Sequence, residues 1–337
     1  RERLLRMKTI TTMAHLGAGA FGSISGEVVQ AATFVLKNAP PRGYRPVFFR
    51  LLDGGEERKR TALRLGENRF AEAAQSEFEK IPGSPIAYWV TAKVRESFVE
   101  FPAASASLDP REGLATGNND RYVRCWPEVS IEEIGLGCED RTAAKETGRR
   151  WFPYNKGGEL RKWAGNIWFL VDWLDDGEEL QTKLHPSGAR VWAHNFNLDF
   201  IFRPFLTWSD ITSKGLSVRL YPAGFLFDAT GLSAFAKDGA FGGAIERATA
   251  LGNSHLGTMF AQILNPTLHF KSGNFGVLPV NETLDLSASV RQAVAVATKD
   301  WDAYERSWDF KSLPLLSATF DSTRNLEGSY TAWITQN

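Results

Sequence analysis

Cysteine is nearly absent from this chain: Cys125 and Cys138 are the two present, and no Cys-x-x-Cys pair occurs. With only five scattered His, a structural zinc site is not expected. Sparse cysteine also points to a reducing, cytoplasmic setting. No apolar run is long enough to span a bilayer. Charge of one sign is not in excess, since 39 Lys and Arg balance 39 Asp and Glu. That balance argues against a generic polyanion binder, although a local basic face suffices to hold DNA. There is no internal repeat and no low-complexity tract. The charged start has no signal-peptide core behind it and no initiator Met, so the chain is expected to be a cut or split piece of a longer protein.

Present instead is an ordinary globular composition, 43% hydrophobic and 23% charged, in 337 residues, enough for one large or two smaller cores. Eleven Trp and 23 Phe form a heavy aromatic load. The spacing of Leu4, Leu5 and Ile10 predicts a helix over 1–16, followed by a glycine-rich turn over 17–26. Strands are predicted over 28–36 and 46–52, joined by a Pro/Gly turn as an antiparallel pair at a sheet edge. Residues 55–80 are charged and helical in pattern, and 86–98 read as another helix. Helical periodicity then fades until about residue 284. Residues 166–173 and 218–228 are the clearest strands of this middle region. A short helix over 254–264 stops before Pro266, and a long one runs over 284–308. The class is α/β (α+β), in three segments: 1–101 with edge strands and helices, 102–283 irregular and β-rich, and a helical closing segment over 284–337.

Three motifs fail on their context. Gly17-Ala18-Gly19-Ala20-Phe21-Gly22 fits G-x-G-x-x-G, but that fingerprint cradles a pyrophosphate only between a strand and a helix, and here the reading is a helix followed by a strand. Asn38-Ala39-Pro40-Pro41 approaches the Asn-Pro-Pro-Tyr that holds a target amine. Arg42 stands near where a stacking ring is needed, so a hairpin turn is the reading. Asp300, Asp302 and Asp309-Phe310-Lys311 resemble a nuclease metal site only faintly, because they end a helix rather than converge from strands.

Residues 149–163 are more informative. They carry Arg149, Arg150, Lys156, Arg161 and Lys162 against one acid, Glu159, interleaved with Trp151, Phe152, Tyr154 and Trp163. Cations neutralise phosphates, while rings and guanidinium forks meet bases. Gly157 and Gly158 let backbone approach a ligand. On composition the stretch reads equally as a nucleic-acid contact and as a solvated loop over buried aromatics. Residues 116–121, Thr-Gly-Asn-Asn-Asp-Arg, offer hydroxyl, amide and guanidinium groups, yet alone they read as an ordinary Asn/Gly turn. Thr207, Trp208, Ser209 and Lys214 form a third cluster with the same ambiguity.

Taken in order, these stretches resemble the PglX-type adenine-specific DNA methyltransferases of BREX phage-defence systems, relatives of fused restriction–modification enzymes. The resemblance is carried by residues 15–35, Ile81-Pro-Gly-Ser-Pro-Ile-Ala-Tyr-Trp89, Gly113-Leu-Ala-Thr-Gly-Asn-Asn-Asp-Arg121 and Trp151-Phe-Pro-Tyr-Asn-Lys-Gly-Gly-Glu159. It continues through Arg161-Lys-Trp163, Thr207-Trp-Ser209, Gly224-Phe225, Phe227-Asp228, Leu264-Asn-Pro-Thr267 and Ser307-Trp-Asp-Phe310. It implies S-adenosylmethionine-dependent transfer of a methyl group to the exocyclic amine of adenine in duplex DNA. The family's cofactor glycine motif and Asn-Pro-Pro-Tyr lie upstream of the matched part. The cofactor is therefore expected in a separate N-terminal half, with none bound here, no metal, and no catalysis by this chain alone. The resemblance makes residues 1–101 the end of the methyltransferase domain, with the last helix and edge strands of its sheet in 1–53, and makes 102–283 the target-recognition region, braced by the final helix. Arg149, Arg150, Lys156, Arg161 and Lys162 would then contact phosphates, and Asn118, Asn119, Arg121, Tyr154 and Asn155 would approach bases. Thr116, Gly117, Arg124, Trp151, Gly157, Trp163, Trp208, Ser209 and Lys214 complete the expected DNA surface. Three readings compete: a protein-docking module that binds other phage-defence components through its Trp-rich loops, a metal-dependent nuclease built on Asp309-Phe310-Lys311, and a complete methyltransferase with a cofactor site at residues 17–22.

Overall fold

The computed structural model of the protein describes residues 1–21, 30–211, 215–237, 243–265, 269–317 and 326–336. The chain divides into two units, Arg1–Pro102 and Ala103–Asn337. Both mix helices with small sheets, in keeping with the α/β (α+β) expectation.

In the first unit the opening helix α1 is short, Glu2–Met7, and strand β1 follows at Thr9–Gly17. The helix expected through residue 16 fails because Thr9-Ile10-Thr11-Thr12 is a β-branched run, stiff at χ1 and suited to a pleated surface. Strands β2, Ala31–Lys37, and β3, Val47–Arg50, do not pair with each other. Both flank β1, β2 antiparallel and β3 parallel, which corrects the expected hairpin. Residues 28 and 29 of the expected strand lie outside the described residues. Helix α2, Glu56–Leu65, ends at Gly66, whose φ of 68° lets Glu67 N–H close onto the Ala62 carbonyl at 2.9 Å. That glycine cuts the helical pattern expected to reach residue 80. Strand β4, Arg69–Phe70, pairs with β3, giving the order β2-β1-β3-β4. Helix α3 spans Ala92–Glu100 and is capped by Thr91. Residues 86–91, expected to be helical, instead feed the core. Tyr88 stacks on Phe48 with centroids 4.4 Å apart, and Phe78 meets Phe48 edge-on.

One buried amide fastens the start of this sheet. Gln75 Oε1 accepts from Ile10 N–H at 2.8 Å, and its Nε2 donates to the carbonyls of Leu5 at 2.5 Å and Lys8 at 2.7 Å. Gln75→Leu keeps the bulk but orphans three backbone groups. We expect it to destabilise the first unit by about 2 kcal/mol, seen as a lower denaturant midpoint at unchanged slope.

The second unit holds two four-stranded sheets. The strands are β5 Leu108–Arg111, β6 Val123–Cys125, β7 Trp151–Asn155, β8 Phe169–Asp172, β9 Phe205–Thr207, β10 Arg219–Tyr221, β11 Leu226–Phe227 and β12 Ser233–Ala236. The sheet orders are β10-β9-β12-β5 and β11-β7-β8-β6. The strand expected over 218–228 is therefore two strands in different sheets, divided by a turn in which Gly224 has φ 104°. Phe152, Tyr154, Trp173, Phe202, Phe205, Phe227 and Phe235 pack the core. Short helices α4, Asn119–Tyr122, α5, Arg141–Glu146, and α6, Leu174–Thr182, lie among the first strands in sequence. Helix α7 spans Ala244–Asn253, and α8, His255–Leu264, starts at its Ser254 cap as expected. Its Pro266 stop signal lies outside the described residues. Helix α9 is Ser272–Gly276. Helix α10, Ser287–Asp302, is shorter than the helix expected over 284–308, and Ser307 Oγ donates to Asp302 Oδ1 at 2.6 Å in the turn that follows; helices α11, Pro314–Ser317, and α12, Leu326–Gln336, come after it.

Candidate nucleic-acid interface

Strand β7 lies between β11 and β8, so all five of its residues are buried. This corrects the expectation that Tyr154 and Asn155 approach bases. Tyr154 is 1% exposed, with its hydroxyl 2.6 Å from Asp228 Oδ2 and 3.0 Å from the Leu114 carbonyl. Asn155 is fully buried and donates to Thr207 Oγ1 at 2.8 Å and the Gly231 carbonyl at 2.9 Å. Its Oδ1 accepts from Gly157 N–H, shaping the turn beyond the strand. Lys156 is spent on Asp228 at 2.8 Å, and Thr230 donates its N–H and hydroxyl to the other carboxylate oxygen. Burial works against ionising Asp228, but the Lys156 charge and the bonds from Lys156, Thr230 and Tyr154 outweigh it and hold the carboxyl below its ordinary value. Burial, then the neighbouring Asp228, pushes the Tyr154 phenol well up. This cluster organises the turn, and its groups are already satisfied.

Other expected contacts are also structural. Trp208 is fully buried, stacks on Phe275 at 4.1 Å and donates Nε1–H to the Phe270 carbonyl at 2.7 Å. Ser209 Oγ donates to the Gly158 carbonyl, tying the turn down. Gly157 is buried, and a side chain there would press on Thr230 O at 3.0 Å. Thr116 is buried and donates to Asn119 Oδ1. Arg161 pairs with Asp300 and lies 5.1 Å over Trp301, whose ring also receives Arg306 at 4.4 Å. Trp163, half-buried at φ 74°, donates its N–H to the Val218 carbonyl. Lys214 lies outside the described residues.

What remains is a basic surface around the start of β7. Trp151 is itself buried, with its ring under two guanidinium groups, Arg124 at 5.4 Å and Arg150 at 5.6 Å. Arg150 donates to Asp172 Oδ2 through Nε at 3.0 Å and Nη2 at 2.7 Å, whereas Arg124 bonds the carbonyls of Asp120 and Val123 and no carboxylate among the described residues. Arg149 is exposed and has no ion pair among the described residues. Lys162 is also exposed and donates to the Asn253 carbonyl rather than to a carboxylate. Arg124 connects this surface to the polar turn, where Asn118 Oδ1 caps α4 and Asn119 is exposed. Arg121 is bound to Glu179 at 2.5 Å beside Tyr122 and Lys183. Gly117, at φ 73°, leaves room for Trp192, whose ring would lie 2.5 Å from an added Cβ. That tryptophan belongs to residues 183–194, a segment not singled out by the sequence reading. Its signal was present: Lys183, His185, Arg190, Trp192 and His194 occur in an acid-free run.

A strand, not a helix, leads into Gly17, contrary to expectation, but the carbonyls of Leu16, Ala18 and Leu52 all point to the buried Lys59 ammonium. A turn that offers its carbonyls inward to a lysine does not fit S-adenosylmethionine, and Gly22 lies outside the described residues. Asp300 and Asp302 are bound to Arg161 and Ser307, and no group of three or more His, Cys, Asp or Glu is placed to hold a metal among the described residues.

No protein-family model matches the chain. The adenine-specific methyltransferase PglX of Lacticaseibacillus casei (strain Zhang) is 36% identical over 348 residues, covering 99% of this chain and 28% of that protein. The adenine-specific methyltransferase BrxX of Escherichia coli O9:H4 (strain HS) is 39% identical over 317 residues, covering 94% of this chain and 25% of that protein. Among solved structures, the type IIG restriction endonuclease BpuSI aligns over 98% of this chain and 43% of its own, with 11% identity and a TM-score of 0.31.

Proposed function

Since this chain is homologous along nearly its whole length to about a quarter of PglX-type adenine-specific methyltransferases, we propose that it is a DNA-recognition portion of such a protein. It grips duplex DNA beside an adenine that is turned out of the stack, an extrusion that costs a few kcal/mol and must be offset by contacts to the flanking duplex. The observation that supports this most is the surface at the start of β7, where Arg124 and Arg150 flank one tryptophan and Arg149 stands unpaired beside them. Arg150 is paired with Asp172, so Arg124 and Arg149, which have no carboxylate partner among the described residues, are the groups that support a local anion-binding face on a chain of zero net charge. The methyl-transfer chemistry and S-adenosylmethionine are assigned to the part of these proteins that the chain does not match. Cytoplasmic DNA and a methyltransferase portion are accordingly its partners.

Titration with a fluorescent 30-base-pair duplex of random sequence, at roughly 50 and 200 mM salt, tests this reading. Binding that weakens steeply between the two, with no calorimetric signal for S-adenosylmethionine, is the expected result. Absence of salt-sensitive DNA binding would sink it.

A further inference from the structure

Residues 183–192 form a short hairpin ribbon, closed by one antiparallel bridge, that none of the assignments above uses. Trp192 N–H donates to the Lys183 carbonyl and His185 N–H to the Arg190 carbonyl, both at 2.9 Å, while Leu184 bridges Val191. The turn closes through Gly188 N–H on the His185 carbonyl at 2.7 Å, with Gly188 at φ 71°. Residues 186–190 are all exposed. The ribbon's base is fixed rather than loose. His194 and Ala115 exchange two backbone bonds, 2.8 and 2.9 Å, and Trp192 occupies the space left by Gly117. The ribbon is thereby locked to the turn that bears Asn118 and Asn119.

Its chemistry is selective. From 183 to 197 there is no Asp or Glu, in a chain whose acids and bases are equal in number overall. The tip, Pro186-Ser187-Gly188-Ala189, is small, so backbone can come close to a ligand. Behind it stand two hydrogen-bonding side chains. His185 Nδ1 is held by Ser187 Oγ at 2.8 Å. Arg190 uses Nη1 on the Val191 and Trp192 carbonyls and on His194 Nε2, which fixes the guanidinium plane. A ribbon with a narrow tip, no negative charge and an oriented arginine suits the major groove, which is about 12 Å wide and admits two strands. A protein-docking ribbon would instead carry a large apolar anchor at its tip.

With duplex DNA as the ligand of this chain, we propose that residues 183–192 enter the major groove and read base edges, with Arg190 as the principal reader. Phosphate contacts at the start of β7 set position, and the ribbon sets sequence preference. A random-sequence duplex pool enriched on the wild-type chain supplies the probe, and two variants are compared on the enriched and the random duplexes. Ala189→Glu places a negative charge at an exposed tip position, and its folding is checked by thermal unfolding. We expect it to weaken binding to the enriched duplex about ten-fold or more. Arg190→Ala is expected to lower the preference for the enriched over the random duplex about ten-fold, with little change on random duplex. If both variants keep wild-type affinity and enrich the same sequence, the ribbon is not a reader and the inference falls, while the DNA-recognition reading stands. If the wild-type chain itself shows no salt-sensitive binding to duplex, that reading falls and the ribbon's role with it.

Discussion

Replacing Asp228 with alanine is expected to lower the stability of the second unit by about 3–5 kcal/mol, a fall of roughly 10 °C in melting temperature. The side chain is almost wholly buried and is the common acceptor for Lys156, Tyr154 and Thr230. Its loss strands an ammonium and a hydroxyl beside the core. Lys156 keeps a partial path to water, which places the effect toward the lower end. The pH dependence has a definite sign. The folded carboxyl is held below its ordinary 3.8, so its stabilisation is complete above that value and is lost as pH falls through the depressed folded value. Asp228→Asn has no carboxyl to protonate. The gap in stability between wild type and Asp228→Asn is therefore expected to close in acid, below about pH 4. A gap that stays constant down to the acid limit, measured by denaturant unfolding, would show that the Asp228 carboxyl titrates alike in the folded and unfolded chain and that its partners do not hold it down.

Changing Arg124, Arg149 and Lys162 together to alanine is expected to weaken binding to random duplex on the order of 10²-fold at low salt. The log–log salt slope should fall by about 3, one for each phosphate contact removed. Among the described residues these three cations have no carboxylate partner, so their field is free to act on DNA. Arg121→Ala is the contrasting variant. Its guanidinium is already bound to Glu179, and removing it should change the slope much less. Equal losses from both variants would mean that carboxylate pairing does not decide which cations meet DNA. Wild-type affinity and slope in the triple variant would remove this surface from the DNA-binding role.

How far the sequence could be read depends on how local the deciding interaction is. Helix α8 was legible because Ser254 and the helix it caps are adjacent in the chain. Strand β1 was not, because Leu4, Leu5 and Ile10 fit a helical spacing although Ile10 belongs to the β-branched run Thr9-Ile10-Thr11-Thr12, which favours a strand. The basic character of residues 149–163 was evident from composition. What was hidden is which charges are spent. Arg150, Arg121, Lys156 and Arg161 find their carboxylates 22, 58, 72 and 139 residues away. No local pattern reveals such pairs. The burial of Tyr154 and Asn155 is equally non-local, since it follows from β7 gaining a neighbour on each side, one of them β11, which lies far along the chain.

The Arg161 latch also sets a timetable. The loop that follows β7 is held at Arg161 by Asp300 and by the ring of Trp301, both supplied by α10. During synthesis, at about 5–20 residues per second, that loop emerges from the ribosome well before its clamp. Until then its basic and aromatic side chains are accessible without their final geometry. The first unit lies wholly in residues 1–102, so the chain that forms its internal contacts emerges earlier. Acquisition of the native loop conformation is consequently a late event, and its rate is governed by long-range chain closure rather than by the local propensities of residues 156–163.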